Sequence, residues 1–319
     1  MSRGGIIEAG QKSYKLVRKE IMTQPSRRFP WVQLDVFTNR ALEGNQLAVF
    51  TDARGLSMEE MQRLAKETNL SETTFILPRE EAVERERGIQ VRIFTVGEEL
   101  EFAGHPTLGT AWYLHQQSGR EVVELDLRVG KIPVRFGTDE AGLVRGEMRQ
   151  RDPEFGEVHA AETVAKALGL PLEAFDTTLP IQTVSTGMAF VMIPFKSLAF
   201  LQNLNFNWHR AAEYLEKSDG KFFYLVTRET VAKEATLHAR MIFYNGEDPA
   251  TGSAAGCCTA WAVQHGVLQS EEQGMIEQGL EAKRPSRIFI RGSKVGGGVT
   301  NVRVAGGVVQ IARGEFSFA

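Results

Sequence analysis

The sequence predicts an α/β protein built as two similar halves, and three observations carry that prediction. Segments that alternate as half-buried strands, such as Trp31-Val-Gln-Leu-Asp-Val-Phe37, are interleaved with helical patterns along the chain. Two helical segments, near 104–115 and 252–264, are small or apolar on every face, which marks helices buried in a core. Their approaches match as well: Arg92 and Arg240, Glu99 and Glu247, and Gly104 and Gly252 each stand 148 positions apart. Three residues in register around similar chemistry indicate a duplication, with one polar helix start in each half facing the other across a cleft.

A length of 319 residues accommodates two full cores. The first half opens with the strand at 31–37, followed by a turn at Gly44 into a second strand ending at Phe50. Ser57-Met-Glu-Glu60 reads as a capping box, with Ser57 at the N-cap and Glu60 three residues on. Met58, Met61, Leu64 and Ala65 then recur at helical spacing, giving an amphipathic helix over 58–67 that ends near Asn69. A strand at 71–77 follows. It contains Glu72 among β-branched and aromatic neighbours, where a carboxylate is disfavoured, so Glu72 is either surface-facing, paired or functional. The mixed charges of Arg79–Gly88 read as a solvated hairpin tip. After the first buried helix (about 106–117), strands are expected at 122–127, 131–136 and 143–148, with the half-boundary near Gln150–Pro153.

In the second half, a helix over 161–168 is stopped by Gly169 and Pro171. Strands follow at 181–185 and 188–193, then a helix capped by Asn207, then strands at 222–227 and 236–244. The segment Ser185–Met192 is the expected mate of 71–77, and it lacks a carboxylate. The second buried helix begins after Glu247-Asp-Pro-Ala-Thr-Gly-Ser253, where Asp248 or Thr251 is the expected cap. The glycine-rich run Val295–Thr300 has no helix after it, so it reads as a hairpin turn and not as a phosphate loop. The organisation is therefore a loosely ordered extension over 1–28, a first domain over 29–150 and a second over 151–319, whose last strands are candidates to return to the first.

Composition narrows the function. Apolar content of 42% and charged content of 24% are ordinary for a soluble globular protein. The 37 basic and 40 acidic residues leave a net charge of −3, which supports neither nucleic-acid nor membrane partners. No apolar run approaches bilayer length. The two cysteines, Cys257 and Cys258, are adjacent and imply no disulfide framework, and the six scattered histidines form no zinc pattern. A reducing, cytoplasmic setting is the default. Residues 1–28 carry seven basic residues against Glu8 and Glu20 without an apolar signal core; an organelle-targeting peptide is the alternative to a loose extension, and Met22 is a second plausible start.

Four ordered segments, Leu42-Glu-Gly-Asn-Gln-Leu-Ala-Val49, Asn69-Leu-Ser-Glu-Thr-Thr-Phe75, Phe102-Ala-Gly-His-Pro-Thr-Leu-Gly109 and Asp248-Pro-Ala-Thr-Gly-Ser-Ala-Ala-Gly256, resemble the PhzF-like isomerase family, related in fold to diaminopimelate epimerase. Gln278-Gly279 and Arg284-Pro-Ser286 fit its C-terminal pattern. The resemblance spans about 30–318. It implies two pseudo-symmetric domains, each a curled sheet around a central helix, with the site between them. It also implies an enzyme without metal or cofactor, often a homodimer. It gives Glu72 the acid/base role and places His105 and Asp248 in the site, with Gly104, Gly252 and Ser253 as substrate-holding donors. Cys257 and Cys258 fall past the matching turn, as packing residues. Gln46 stands where the family usually has proline, and Lys283 where it has glycine.

Together these features suggest an isomerase that moves a proton on a small carboxylate substrate. Glu72, desolvated in a cleft, would take a proton from carbon and return it elsewhere, while helix starts at Gly104 and Gly252 hold negative charge. The rivals are a non-catalytic binding protein for a small molecule or protein, and a two-base epimerase. An intact Glu72, His105, Asp248 and Ser253 set argues against the first. The missing cysteine pair, and the lack of a carboxylate at the mate of Glu72, argue against the second.

Overall fold

The computed structural model describes residues 26–205, 207–243 and 246–318. The extension expected over 1–28 therefore lies outside the described residues up to residue 25. Arg27 and Arg28 are not loose: they open strand β1 (Arg27–Val36), which runs beside β2 (Asn45–Phe50). Helix α1 (Met58–Thr68) starts with the capping box, the Glu60 N–H donating to Ser57 Oγ (3.2 Å) and the Ser57 N–H to Glu60 Oε2 (2.7 Å). It ends at Asn69 in the left-handed conformation, φ 51°.

Strand β3 (Glu72–Leu77) leads to a difference from expectation. Instead of a hairpin tip, Glu81–Arg87 forms helix α2, none of whose residues is buried. Glu81 and Arg85, one turn apart, pair at 2.5 Å, and Gly88 ends the helix at φ 92°. The half continues with β4 (Ile89–Phe94), β5 (Glu99–Leu100), α3 (Gly104–Ser118), buried from Gly104 to Ala111 and emerging at its end, β6 (Val122–Leu127), β7 (Gly130–Thr138) and β8 (Val144–Arg149).

The second half follows the same plan. Strand β9 (Glu154–His159) closes the first series, and the second comprises α4 (Ala161–Leu168), β10 (Ile181–Ser185), β11 (Ala189–Phe195), the short α5 (Leu198–Gln202) and α6 (Trp208–Leu215), capped by Asn207. Then come β12 (Phe222–Thr227), β13 (Leu237–Phe243), β14 (Gly246–Asp248), α7 (Gly252–Gln264), β15 (Gly274–Gln278) and the strands β16 (Ser286–Val295), β17 (Gly298–Gly306) and β18 (Val308–Phe318). Gly296 and Gly297, at φ 58° and 86°, make the tight turn between β16 and β17, so the glycine-rich run is a hairpin.

Strand pairing shows a near dyad. Parallel pairs β2·β3 and β4·β6 are matched by β11·β12 and β13·β15, and the antiparallel pairs correspond in the same way. The two series meet where β8 lies antiparallel to β17. Arg92 grips Glu99 through two bonds of 2.7 Å, and Arg240 grips Glu247 at 2.9 and 2.8 Å, so the residues 148 apart perform one task in each half. The matching also corrects the mate of 71–77. Phe75 pairs Arg92 as Leu225 pairs Arg240, which makes β12 the counterpart of β3 and Phe222 the counterpart of Glu72.

Each half of the sheet wraps a central helix. Both α3 and α7 contribute to one main core, with Leu108, Cys257, Cys258 and Trp261 fully buried. Full burial of a large apolar side chain contributes about 1.5–3 kcal/mol, so helices apolar all round have no stable position elsewhere. The outer faces are covered separately. Helix α1 lies over Phe50, Phe75 and Phe94, while α4 and α6 lie over β11 and β12. No helix among the described residues is long and apolar enough to cross a membrane.

Candidate active site

The centre of the site is the contact between two helix starts. A β-carbon placed on Gly104 would lie 3.1 Å from both Gly252 Cα and Ser253 N, and one on Gly252 would lie 3.4 Å from Gly104 Cα. Glycine at both first positions is what allows α3 and α7 to meet end to end. Neither helix start is capped by a side chain. Thr251 occupies the N-cap of α7 as expected, but its hydroxyl donates to Asp248 Oδ2 (2.5 Å) and leaves the helix amides free. The first-turn N–H groups of Gly104, His105, Gly252, Ser253 and Ala254 thus converge with two positive dipole ends. Exposed amides at a helix start are in general suited to an anion.

Side chains complete the site around that contact. Glu72 begins β3 and His105 is the second residue of α3, which brings Glu72 Oε2 within 3.5 Å of His105 Nε2. Both atoms are enclosed and neither has a hydrogen-bond partner among the described residues. Asp248 ends β14 on the opposite side. Asn45 ties the two sides together, its amide donating to Asp248 Oδ1 (2.8 Å) and the Ala250 carbonyl (2.9 Å) while lying 3.3 Å from His105 Nδ1. Gln278 donates to the Asp248 carbonyl (2.8 Å) and Thr251 Oγ1 (3.0 Å), and accepts from the Tyr224 hydroxyl (2.8 Å). Arg284, reaching from the second half, donates to the carbonyls of Gly44 (2.8 Å) and Glu43 (2.6 Å) and to the buried Asp35 (2.6 Å). It thereby fixes the loop that delivers Asn45.

Burial sets the protonation states. Enclosure, with the nearby Asp248 charge, raises Glu72 to about 8, although 17% of its side chain still meets solvent. Burial raises Asp248 to about 7, against the hydrogen bonds of Thr251 and Asn45 that favour its charge. Burial lowers His105 to about 3, so its imidazole is neutral at physiological pH. The cysteines stand outside this chemistry. Both are buried in α7, and burial pushes the Cys257 thiol up to about 11 and Cys258 further still. Among the described residues no three of His, Cys, Asp and Glu converge as metal ligands.

Glu72, His105, Asp248, Gly104, Gly252 and Ser253 are therefore gathered at one point. Sequence reasoning assigned no part to Asn45, Gln278 or Arg284, although all three fall inside segments that carried the family resemblance. A buried asparagine or glutamine has no periodic signature; its signal is only a polar residue beside a strand that is otherwise apolar.

The fold thus sets one carboxyl and one imidazole beside the meeting of two helix starts. A family profile described as "Phenazine biosynthesis-like protein" matches residues 34–314. The chain belongs to that family, the PhzF-like isomerases. An uncharacterized isomerase of Mesorhizobium japonicum is 37% identical over 299 residues, covering 88% of this chain and 96% of that protein. The trans-2,3-dihydro-3-hydroxyanthranilate isomerase of Pseudomonas aeruginosa is 33% identical over 290 residues, covering 89% and 98%. A crystal structure of a PhzF-family phenazine biosynthesis protein from Bacillus anthracis matches with a TM-score of 0.81 at 28% identity, covering 92% of this chain and 99% of that one.

Proposed function

We propose that the protein shifts a proton between carbons of a small carboxylate, with Glu72 as the single acid/base and no cofactor. The substrate carboxylate, or the enolate charge that develops from it, rests against the free amides of α3 and α7. Ionised Glu72 takes a proton from carbon, the electron pair delocalises toward the helix starts, and the same carboxyl returns the proton to another carbon. His105 and Asp248 orient the substrate, and Ser253 adds a hydroxyl at the rim. Oriented donors of this kind each lower the barrier by about 2.7–4 kcal/mol where their removal has been tested.

The observation that carries the reading is the pair of enclosed atoms Glu72 Oε2 and His105 Nε2, without hydrogen-bond partners among the described residues, beside helix starts that no side chain caps. A binding protein gains nothing from a desolvated carboxyl held near neutrality. A two-base epimerase needs a second proton carrier, and the counterpart of Glu72 is Phe222. The proton then leaves and returns on one face. Ring carboxylates like the one named for the Pseudomonas aeruginosa relative are the first substrates to try. The buried, reduced cysteine pair fits a cytoplasmic setting, and a homodimer is the assembly to test by light scattering.

Glu72→Gln tests the mechanism, because it keeps the shape and removes the proton carrier. Turnover should fall by at least about 10²-fold with binding retained, and solvent deuterium incorporated by the wild type should vanish. Near-normal turnover in the variant would rule the mechanism out.

A further inference from the structure

The dyad pairs each position of the cleft with a counterpart, and the counterparts differ in kind. Glu72 is matched by Phe222, since Leu47 pairs Glu72 as Phe190 pairs Phe222. Two residues before Leu47 stands Asn45; two before Phe190 stands Met188. His105 is matched by Ser253, again 148 positions on. Where the first half presents a carboxyl, an imidazole and an amide, the second presents a phenyl ring, a thioether and a small hydroxyl.

These apolar groups are neither sealed in the core nor loose. Met188, Phe222 and Phe243 pack on the outer end of the main core, and each keeps part of its surface exposed. Phe243 meets Phe222 edge-on with centroids 5.1 Å apart, and Phe190 lies tilted beside it at 6.0 Å. The Cys257 thiol donates to the Met188 carbonyl (3.4 Å), which fixes the turn that carries the thioether. By the dyad, Phe222 and Met188 stand toward the start of α7 as Glu72 and Asn45 stand toward the start of α3.

We propose that Met188 and Phe222, buttressed by Phe243, are the specificity wall of the cleft. They receive a flat apolar face of the substrate while its carboxylate lies on the helix starts and its reacting carbon faces Glu72. This rests on the carboxylate reading given above and adds what the substrate must look like on its far side. A charged or strongly hydrated group there would lose water without gaining a partner. A flat hydrocarbon face would gain contact with the ring and with the adaptable thioether.

Binding of acetate and benzoate to the full chain, followed by amide and methionine-methyl NMR, separates the two ideas. Amide shifts at Gly104 and Gly252 report the carboxylate; the Met188 methyl, assigned through Met188→Ala, reports the wall. Benzoate should bind at least about 10-fold more tightly than acetate, the lower end for a missing apolar group in a pocket, and should move both sets of signals. In Phe222→Ala and Met188→Ala that gap should shrink to less than about 3-fold with the acetate affinity held within about 2-fold, a loss of apolar contact alone. Phe222→Leu serves if Phe222→Ala fails to fold, and it should narrow the gap part of the way. Equal affinities in the wild type, or an unchanged gap in the folded variants, overturn the wall and leave the carboxylate reading intact. No saturable shift at Gly104 and Gly252 with either acid overturns the carboxylate reading, and the wall with it.

Discussion

Glu72 Oε2 and His105 Nε2 stand 3.5 Å apart, both enclosed and without a hydrogen-bond partner among the described residues, and the imidazole is neutral where the carboxyl is poised to titrate. Burial and the Asp248 charge hold Glu72 at about 8. Proton abstraction needs the ionised form, so kcat/KM should climb as pH rises from 6 and level off above about 8. A profile flat across that range would mean that Glu72 does not start as the base.

Asn45 should matter to both stability and titration. Asn45→Ala leaves Asp248 Oδ1 and the Ala250 carbonyl without their donor, a loss of about 1–3 kcal/mol, measurable by denaturant unfolding. Because the Asn45 bond favours the Asp248 anion, the Asp248 pKa should rise further in the variant, visible by carboxyl NMR.

His238 gives the fold an alkaline limit. It is fully buried, with Nδ1 2.8 Å from Glu277 and Nε2 3.3 Å from Glu281. Burial disfavours the imidazolium, but the two carboxylates outweigh it and raise His238 to about 9. A raised histidine contributes its full stability below its unfolded pKa of about 6.5, and that contribution is lost as pH rises through the folded value. The guanidinium midpoint should therefore fall between pH 7 and 10, and His238→Gln should flatten the fall.

Lys283 sits at φ 59°, in the left-handed region where a glycine would be unstrained. A side chain in the left-handed region costs about 1–2 kcal/mol, partly offset by the greater freedom of glycine when unfolded. Lys283→Gly should raise stability by about 0.5–1 kcal/mol without changing turnover. A drop in the unfolding midpoint would show that the Lys283 side chain makes a contact worth more than the strain.

Much of this was legible in the chain because the signals were local or repeated. The Ser57–Glu60 box, the all-round apolar helices and the 148-residue spacing each state a physical requirement that few other patterns meet. What was hidden depends on distance. Helix α2 is held by a one-turn ion pair on a fully exposed face, so no apolar periodicity announces it. The mate of Glu72 was misplaced although the 148-residue spacing leads to within two residues of Phe222: the apolar 185–192 segment shows the same strand pattern, and only strand register tells the two apart. The Asp248–Thr251 bond that leaves α7 uncapped was equally invisible, since both residues are ordinary caps.

The order of pairing across the dyad has a further consequence. Strand β9 follows β8 in the chain yet pairs with β10 of the other half, and β18 follows β17 yet runs along β1 from Arg27 to Val36. Each half thus lends its last strand to its neighbour. That is the topology of a strand-exchanged dimer of one ancestral unit, with the two copies now joined by a peptide bond. Such an ancestor would have carried its cleft on its own symmetry axis, with identical walls. Glu72 and Phe222 then mark a place where the two copies parted, a carboxyl in the first and a phenyl ring in the second.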